Sequence, residues 1–317
     1  PLVAMGLIGP VIFFVHWPWL WYHPVDRLAW YFEFHATHVH YAWTYLNTVL
    51  RAPPFPLAYV FVVTALTLPV SLLLPMTAGL LRSGVLNVGT VVPAVGRRFG
   101  RGDATEWLLF VNALFSILLI SHPEVPHFGG VKHWLPSMPF LALLAGREFD
   151  RAASGLTTAL RLTARRGTAA AVGLGAVVLL PAFTLTVHVH PYGTSAYGEL
   201  AGGIPGAASL GLQRQYWSNN VTGVLPWLDA NSRPGARLWL HEVNGLSFRD
   251  YQRNDMLRKD VFPAGGPEDA DLAAVQYHQE FREQEVVVWQ AFGTWVPSTG
   301  LYLDETPQVV VYRRSAP

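Results

Sequence analysis

Five long apolar stretches constrain the fold of this 317-residue chain more than any other feature of its sequence. A helix needs about 20 consecutive apolar residues to cross the hydrocarbon core of a bilayer. We therefore predict five membrane spans, at residues 1–15, 57–81, 106–121, 131–146 and 168–187. The fourth is short and contains Pro136 and Pro139, so a re-entrant segment is the alternative there, although spanning helices tolerate prolines when neighbours satisfy the freed backbone groups. Only 14% of the residues are charged, well below the roughly 25% of soluble domains.

Arginine clusters predict the orientation of these spans. Residues 82–105 contain four arginines and residues 147–167 contain five, whereas the connections 16–56 and 122–130 hold only Arg27 and Arg51. Basic residues concentrate in cytoplasmic loops of membrane proteins. The two arginine-rich connections are therefore predicted to face the cytoplasm. Everything after residue 187 is then expected on the extracytoplasmic side.

Tryptophan and tyrosine are concentrated in the external connection 16–56. Their amphipathic rings favour the level of the lipid headgroups. We expect an interfacial helix over residues 25–47, lying along the outer leaflet and ending before Pro53-Pro54.

The character of the chain changes after the last span. Residues 188–317 predict a small soluble α/β domain with strands at 236–243 and 271–276, helices at 247–259 and 277–292, and a hairpin formed by 300–303 and 309–313. The predicted fold class is thus a polytopic α-helical membrane protein, residues 1–187, followed by this extracytoplasmic domain. A glycine-rich phosphate loop of the strand-to-helix type is missing from the tail, so nucleotide binding is not predicted.

Composition excludes several classes of function. The chain has no cysteine, which removes disulfides, thiolate metal sites and a cysteine nucleophile. A net charge of +1 with only two lysines, Lys132 and Lys259, does not suit a nucleic-acid partner. The sequence implies no cofactor, and a divalent metal is left open without support.

Three stretches resemble bacterial membrane proteins of glycosyltransferase family 39, relatives of the protein O-mannosyltransferases and of the lipid A aminoarabinose transferase. The first is residues 129–146, Gly-Gly-Val-Lys-His-Trp-Leu-Pro-Ser-Met-Pro-Phe-Leu-Ala-Leu-Leu-Ala-Gly. The second combines His-Pro-Tyr-Gly at 190–193 with Tyr-Gly-Glu-Leu-Ala-Gly-Gly at 197–203 and Gly206-Ala207. The third is Pro-Pro-Phe-Pro-Leu-Ala-Tyr at 53–59, leading into Thr64 and Thr67-Leu68-Pro69.

This resemblance implies a transferase of the GT-C type in the bacterial inner membrane. Such an enzyme takes a sugar from a polyprenyl-phosphate donor and transfers it, on the extracytoplasmic side, to a lipid, glycan or protein acceptor. The family's general base is an acidic residue in the first external loop. Because the chain begins inside an apolar run without a methionine, we expect this loop, and hence the catalytic residue, upstream of residue 1.

Cationic side chains at the predicted outer interface are the candidate donor-binding residues. Lys132 and His133, with His127 nearby, lie at the outer end of the fourth span and can bind phosphate oxygens through charge-assisted hydrogen bonds. The alternative is that Lys132 only snorkels to the headgroups. Arg51 is a weaker candidate for the same phosphate.

A group of histidines in the interfacial segment is the second candidate site. His35 and His38 would share a helix face, with His40 and Tyr41 close in sequence. Interfacial packing, contact with a lipid phosphate or an acceptor, and a metal site all remain open for this group.

His188 and His190 are expected to be boundary residues, and Glu199 to cap a turn or bind backbone amides. Two other classes of function stay open. A transporter or flippase of lipid-linked sugars would share the aromatic and basic interface, but it commonly carries charges inside its spans, and the predicted spans have none away from their ends. A non-catalytic anchor presenting residues 188–317 as a binding domain is the other alternative.

Overall fold

The computed structural model describes residues 2–37, 39–125 and 127–314, and its chain divides into two compact units, residues 1–41 and 42–317. The first unit consists of helices α1 (Leu2–His16) and α2 (Pro24–Ala36), joined by a 3-10 turn at Pro18–Trp21. Aromatic rings pack between them, with the ring centres of Trp17 and Tyr31 5.2 Å apart.

The predicted interfacial helix is only half correct. Helix α2 ends at Ala36, where the backbone N–H and the hydroxyl of Thr37 both donate to the carbonyl of Glu33. Residues 43–45 form a strand instead of continuing the helix. His38 lies outside the described residues, so the helix face that His35 and His38 were predicted to share stays a prediction.

The second unit begins with a small hairpin and continues as a helical bundle. Its first two strands are β1 (Trp43–Tyr45) and β2 (Thr48–Leu50), which pair antiparallel. The bundle helices are α3 (Tyr59–Thr67), α4 (Val70–Val91), α5 (Pro93–Phe99), α6 (Ala104–Ile120), α7 (Met138–Ala159) and α8 (Ala164–Val189). A 3-10 segment, Gly130–Ser137, leads into α7.

Two helices among the described residues, α4 and α8, are long and apolar enough to cross a membrane. A third crossing results if α5 and α6, which are bent by 102° at their junction, count as one. Helix α1 has only 15 residues. The structure therefore shows a mostly helical protein with two candidate spans, whereas the five predicted spans are not shown.

The second and fourth predicted spans differ from the helices observed. Pro69 separates α3 from α4, because a proline lacks the N–H that a continuous helix needs and forces the preceding Leu68 into an extended conformation. Helix α4 then runs ten residues past the predicted end at residue 81. Helix α7 likewise begins only at Met138 and continues to Ala159.

Close contacts fix how the bundle helices run. A Cβ on Gly79 of α4 would lie 2.6 Å from the carbonyl oxygen of Leu144 in α7, so glycine is required where these helices cross. The hydroxyl of Ser71, in the first turn of α4, donates to the carbonyl of Val178 in α8 (2.8 Å). The starts of α4 and α7 and the ends of α6 and α8 therefore share one end of the bundle. Helix α5 and the α7–α8 turn, with most of the loop arginines, lie at the other.

The tail forms a five-stranded mixed sheet with helices on both faces. Its strands are β3 (Arg237–Leu240), β4 (Phe262–Pro263), β5 (Leu272–Gln276), β6 (Thr299–Leu303) and β7 (Thr306–Arg313), in the order β4-β3-β5-β7-β6. The helices of this part are α9 (Gly203–Ser209), α10 (Leu225–Asn231), α11 (Gly245–Arg253) and α12 (Arg282–Phe292). Strand β3 is parallel to β4 and β5, and β7 is antiparallel to β5 and β6.

Alternating side chains of the sheet build two cores. Leu238, Leu272 and Val309 pack towards α10 and α11, whereas Val275 and Val310 pack towards α12. The predicted strands and hairpin are confirmed within a few residues. The two predicted helices are shorter than expected, since α11 ends at Arg253 and α12 begins at Arg282.

Candidate functional site

Lys132 and His133 lie together at the end of the helical bundle that carries the sheet domain. The exposed ammonium of Lys132 is 3.8 Å from the centre of the Trp217 ring, a cation–π geometry. Phe128 contacts both Trp217 (5.7 Å between ring centres) and His133 (5.3 Å). We call Phe128, Lys132, His133 and Trp217 the Lys132 patch.

Local backbone geometry brings the two halves of the Lys132 patch together. Gly130 has a φ of +59° and lies so close to Tyr216 that a Cβ would be 2.6 Å from its ring, so glycine alone fits there. Trp217 and Ser218 also have positive φ values, 68° and 51°, which are uncommon for residues with side chains. The turn at Trp217 thereby points the chain back toward the 3-10 segment that holds Lys132.

His127 does not join this patch. It is fully buried, its Nε2 bonds to the carbonyl of Ile120, and its ring stacks on Tyr59 with the ring centres 5.1 Å apart. Burial lowers the pKa of its imidazole, and the backbone hydrogen bond opposes this only in part. The prediction that His127 contacts a lipid phosphate is therefore not supported, because a neutral core residue has no access to one.

The remaining predicted residues are dispersed. Arg51 is exposed directly after β2. His40 and the largely exposed Tyr41 belong to the first unit, as does His35, whose ring contacts Tyr31 at 4.4 Å. Among the described residues, no group of three histidine, aspartate or glutamate side chains could hold a metal ion.

His188 and Glu199 each contact another element of the fold. Nε2 of His188, in the last turn of α8, lies 2.8 Å from Oδ1 of Asp304 in the C-terminal hairpin. Glu199 accepts a hydrogen bond from the backbone N–H of Val70 (3.0 Å) and so satisfies a free amide at the start of α4. The first contact links α8 to the hairpin, and the second agrees with the expectation that Glu199 binds a backbone amide.

One short segment that sequence reasoning missed connects the Lys132 patch to the sheet domain. The side chains of residues 213–217, Gln-Arg-Gln-Tyr-Trp, all make polar or aromatic contacts. The amide of Gln213 donates to Glu280 (2.6 Å), Gln215 bonds to Gln276, and the hydroxyls of Tyr216 and Tyr59 are 3.3 Å apart. The dense run of polar and aromatic residues was the available signal in the sequence.

Arg214 of this segment lines an enclosed cavity of about 140 Å³. We call it the Arg214 cavity, and its charged and polar lining includes Thr44, Asn47, Arg214, His278, Glu280, Arg282 and Glu285. The guanidinium of Arg214 donates to the carbonyl of Pro307 (2.7 Å) and stacks over Tyr277 at 4.8 Å. The cavity thus presents both signs of charge to a small polar group.

Burial shifts the pKa values of three charged or titratable residues that line the Arg214 cavity. It lowers the pKa of Arg214 and raises that of the Glu285 carboxyl. Burial also lowers the pKa of His278, although Glu280, whose Oε1 lies 3.6 Å from the Nδ1 of His278, partly opposes this. His278 is therefore neutral at pH 7, and its Nδ1 has no hydrogen-bond partner in the described part of the chain.

Charged residues lie inside the helical bundle, although the sequence predicted its arginines to lie in the loops. Glu106, only 4% exposed, accepts a hydrogen bond from Ser83 (2.6 Å) and pairs with Arg147, while Arg82 lies 3.9 Å from Glu148. These contacts place arginines that were predicted to lie in loops within α4 and α7. Because the charges pair with one another, they hold α4, α6 and α7 together.

The fold and the sites define a helical protein with two apolar helices able to cross a membrane and a small sheet domain at one end. Comparison of the chain with protein families, curated proteins and solved structures gave no match.

Proposed function

We propose that this chain is part of a membrane glycosyltransferase that transfers a sugar from a polyprenyl-phosphate donor to an acceptor on the extracytoplasmic face. The observation that carries the proposal is the position of Lys132. Its ammonium is exposed, rests on an aromatic ring, and lies at the end of the bundle where the sheet domain begins. A cation at a membrane boundary suits the phosphate of a lipid carrier.

An apolar groove in the bundle supports a lipid-linked substrate. It has a volume of about 220 Å³ and lies between α4, α7 and α8, where Leu72, Met76, Ala142, Phe149 and Val178 line it. Leu72 lies in the first turn of α4, whereas Phe149 and Val178 lie at the middle of α7 and α8, so the groove runs from near the end of the bundle that carries the Lys132 patch to its middle. A prenyl chain would lie in this groove with its phosphate at the patch.

The arrangement of charge supports the orientation. The arginines of α5 and of the α7–α8 turn lie at the end of the bundle opposite the sheet domain. With this end in the cytoplasm, the sheet domain and the Lys132 patch are extracytoplasmic, in the periplasm of a bacterium with two membranes. In the proposed topology α1, α4, α6, α7 and α8 all cross the membrane, and the paired charges of α7, Arg147 and Glu148, lie at the middle of that helix.

The Arg214 cavity supplies polar groups near the patch. Its carboxylates accept hydrogen bonds from sugar hydroxyls, and its guanidinium groups donate to oxygens. Because residues 213–217 connect the cavity to Trp217, a donor bound at the patch would have its sugar directed toward this segment. None of the cavity residues is assigned the role of general base.

A transfer assay tests the proposal directly. Membranes containing the protein at its full natural length are incubated with polyprenyl-phosphate donors that carry a radiolabelled sugar, and label is followed into water-soluble and lipid products. Transfer that depends on the protein supports a glycosyltransferase. Movement of the intact donor across sealed vesicles without a glycosylated product would instead identify a transporter or flippase. Absence of both activities would leave the anchor alternative and overturn the proposal.

A further inference from the structure

A second, open crevice lies in the sheet domain, apart from the Lys132 patch and the Arg214 cavity. It has a volume of about 670 Å³, within the range of small-molecule sites. The residues that matter for its chemistry are Trp239, His241, Glu242, Asn244, Gly265 and Gln284. We call it the His241 crevice.

The topology of the sheet explains why the crevice forms there. From β3, which lies between β4 and β5, the chain passes through α11 to β4 on one side, and then returns to β5 on the other side of β3. At the carboxyl ends of these parallel strands, the connection after β3 therefore leads to one side of the sheet and the connection after β4 leads back to the other. Ligands of open α/β sheets bind in crevices at such switch points.

A buried polar atom in the crevice is left without a protein partner. His241 is 6% exposed, and its Nδ1 makes no hydrogen bond within the described ranges of the chain. Its Nε2 lies 3.7 Å from Oε1 of Glu242, which is beyond hydrogen-bond distance. Buried polar atoms are nearly always satisfied in native proteins. This nitrogen is itself closed to solvent, so a ligand hydroxyl in the crevice would reach it only if the imidazole ring turned.

The charge of the lining disfavours an anion. Lysine and arginine are absent from the lining within the described residues, and Glu242 contributes a negative charge. The N-terminus of α11 is also occupied, because Oδ1 of Asn244 accepts hydrogen bonds from the amides of Leu246 and Ser247. A phosphate or carboxylate would therefore meet repulsion and no free helix amides.

We propose that the His241 crevice binds an uncharged saccharide. Hydroxyl groups both donate and accept, and so they match the carboxylate of Glu242 and the amides of Asn244 and Gln284. The half-buried ring of Trp239 supplies an apolar surface for a sugar face. The proposal concerns binding by the sheet domain and holds whether or not the protein transfers sugars.

One glycine that lines the crevice allows a substitution that blocks the crevice and leaves the fold intact. A Cβ on Gly265 would have no atom within 4 Å, and the φ of Gly265 is not in the left-handed region. Gly265→Leu therefore fills the crevice without strain. Gly193, outside the crevice, is equally open, so Gly193→Leu is the matched control. Gln284→Ala removes one amide, and Gln290→Ala changes an exposed residue of the same helix.

Binding is measured by saturation-transfer NMR on the full chain in lipid nanodiscs, since common detergents carry sugar headgroups. The probes are maltotriose and α-1,6-mannotriose as neutral saccharides, a glucuronic acid trimer as an anion, and glucosamine as a cation. We expect a neutral trisaccharide to bind the wild type and Gly193→Leu, and its affinity to fall at least about tenfold in Gly265→Leu and Gln284→Ala but not in Gln290→Ala. Failure of both neutral probes, undiminished binding to Gly265→Leu, or preference for a charged probe overturns the proposal.

Discussion

The ammonium of Lys132 lies 3.8 Å from the centre of the Trp217 ring, and this contact joins the helical bundle to the segment that leads into the sheet domain. Lys132 belongs to the 3-10 segment before α7, and Trp217 follows the polar residues 213–216. The ring limits the freedom of the ammonium without neutralising it. The lysine is therefore held in place with its charge still available to an anion.

Replacement of Lys132 tests its role in donor binding. We expect Lys132→Ala to raise the KM for a polyprenyl-phosphate donor by about 10- to 100-fold, because a hydrogen bond to a charged group contributes roughly 1.5–3 kcal/mol. Transfer assays at varied donor concentration measure the change. Lys132→Arg keeps the charge and should retain most of the donor affinity.

The chain offers a matched control for this variant. Lys259 is its other lysine, an exposed residue 3.2 Å from Asp255 on the sheet domain, and Lys259→Ala should leave the KM unchanged. Equal donor kinetics in Lys132→Ala and the wild type would remove Lys132 from the site. Interface anchoring would then be its role.

Loss of one partner of the Glu106–Arg147 pair should destabilise the bundle more than loss of both charges. Arg147→Ala leaves Glu106, which is 4% exposed, buried without its ion pair, and we expect a loss of about 1–3 kcal/mol. Adding Glu106→Gln to the Arg147→Ala variant removes the negative charge at position 106 and keeps an oxygen that accepts the hydrogen bond from Ser83. This double variant should therefore recover part of the loss, and thermal unfolding in nanodiscs ranks the three proteins.

Arg166, an exposed residue at the start of α8, provides the comparison. Arg166→Ala should shift the unfolding temperature little. An Arg147→Ala protein as stable as Arg166→Ala would show that the buried pair contributes nothing to helix packing.

Buried histidines predict that the protein loses stability in acid. Burial, and to a smaller extent His278, lowers the pKa of His241 from 6.5 to about 4, and burial likewise lowers that of His278. Between pH 6.5 and 4 the unfolded chain binds protons at these rings and the folded chain does not, so stability falls as the pH falls through this window. Above pH 6.5 the contribution is complete and constant.

The contribution of His241 is best isolated by comparing variants. The raised pKa of Glu285 stabilises the folded chain as the pH falls, and so it would mask part of the loss caused by the histidines. His241→Gln should lose less stability than the wild type between pH 7 and pH 5 in thermal unfolding experiments. His190→Gln, which replaces an exposed ring, should follow the wild type. Parallel pH curves for the wild type and His241→Gln would contradict the prediction.

Hydropathy predicted where the apolar helices lie but not where they begin and end. Arg82, Arg147 and Arg151 indicated loops in the sequence, whereas the structure places them inside α4 and α7. Glu106 and Glu148 supply the compensating charges, and those pairings exist only once the helices pack together. Local patterns cannot reveal them. Pro69, by contrast, is a local signal that the prediction passed over.

The same limit applies to the sites. Lys132 and His133 were identified because they adjoin an apolar run, which is a property of the sequence alone. The Arg214 cavity combines Thr44, Arg214 and Glu280, and the hydrogen bond from the amide of Thr44 to Gln213 spans 169 positions. Only the completed fold brings such residues together. His127 shows the converse, since its nearness to Lys132 in sequence did not indicate that it would be buried against Tyr59.

The turn of the C-terminal hairpin predicts a stabilising substitution. Asp304 and Glu305 have φ values of 46° and 61°, as in a type I′ turn, whose second central position favours glycine. Glu305→Gly should raise the free energy of unfolding by about 0.5–1 kcal/mol and leave the contact between Asp304 and His188 in place. Glu305→Ala retains the unfavourable backbone conformation and should not stabilise the protein in the same thermal assay.

The orientation of the protein can be tested with single cysteines, because the chain contains none and so needs no background removal. Gln290→Cys places a thiol on the exposed face of α12, and Thr163→Cys places one at the α7–α8 turn, where Thr163 makes no side-chain cap. If the arginine-rich end faces the cytoplasm, a membrane-impermeant maleimide should label Cys at position 290 in intact spheroplasts and at position 163 only after lysis. Labelling of both positions from outside, or of position 163 alone, would contradict the proposed topology and place the Lys132 patch on the wrong side for an extracytoplasmic donor.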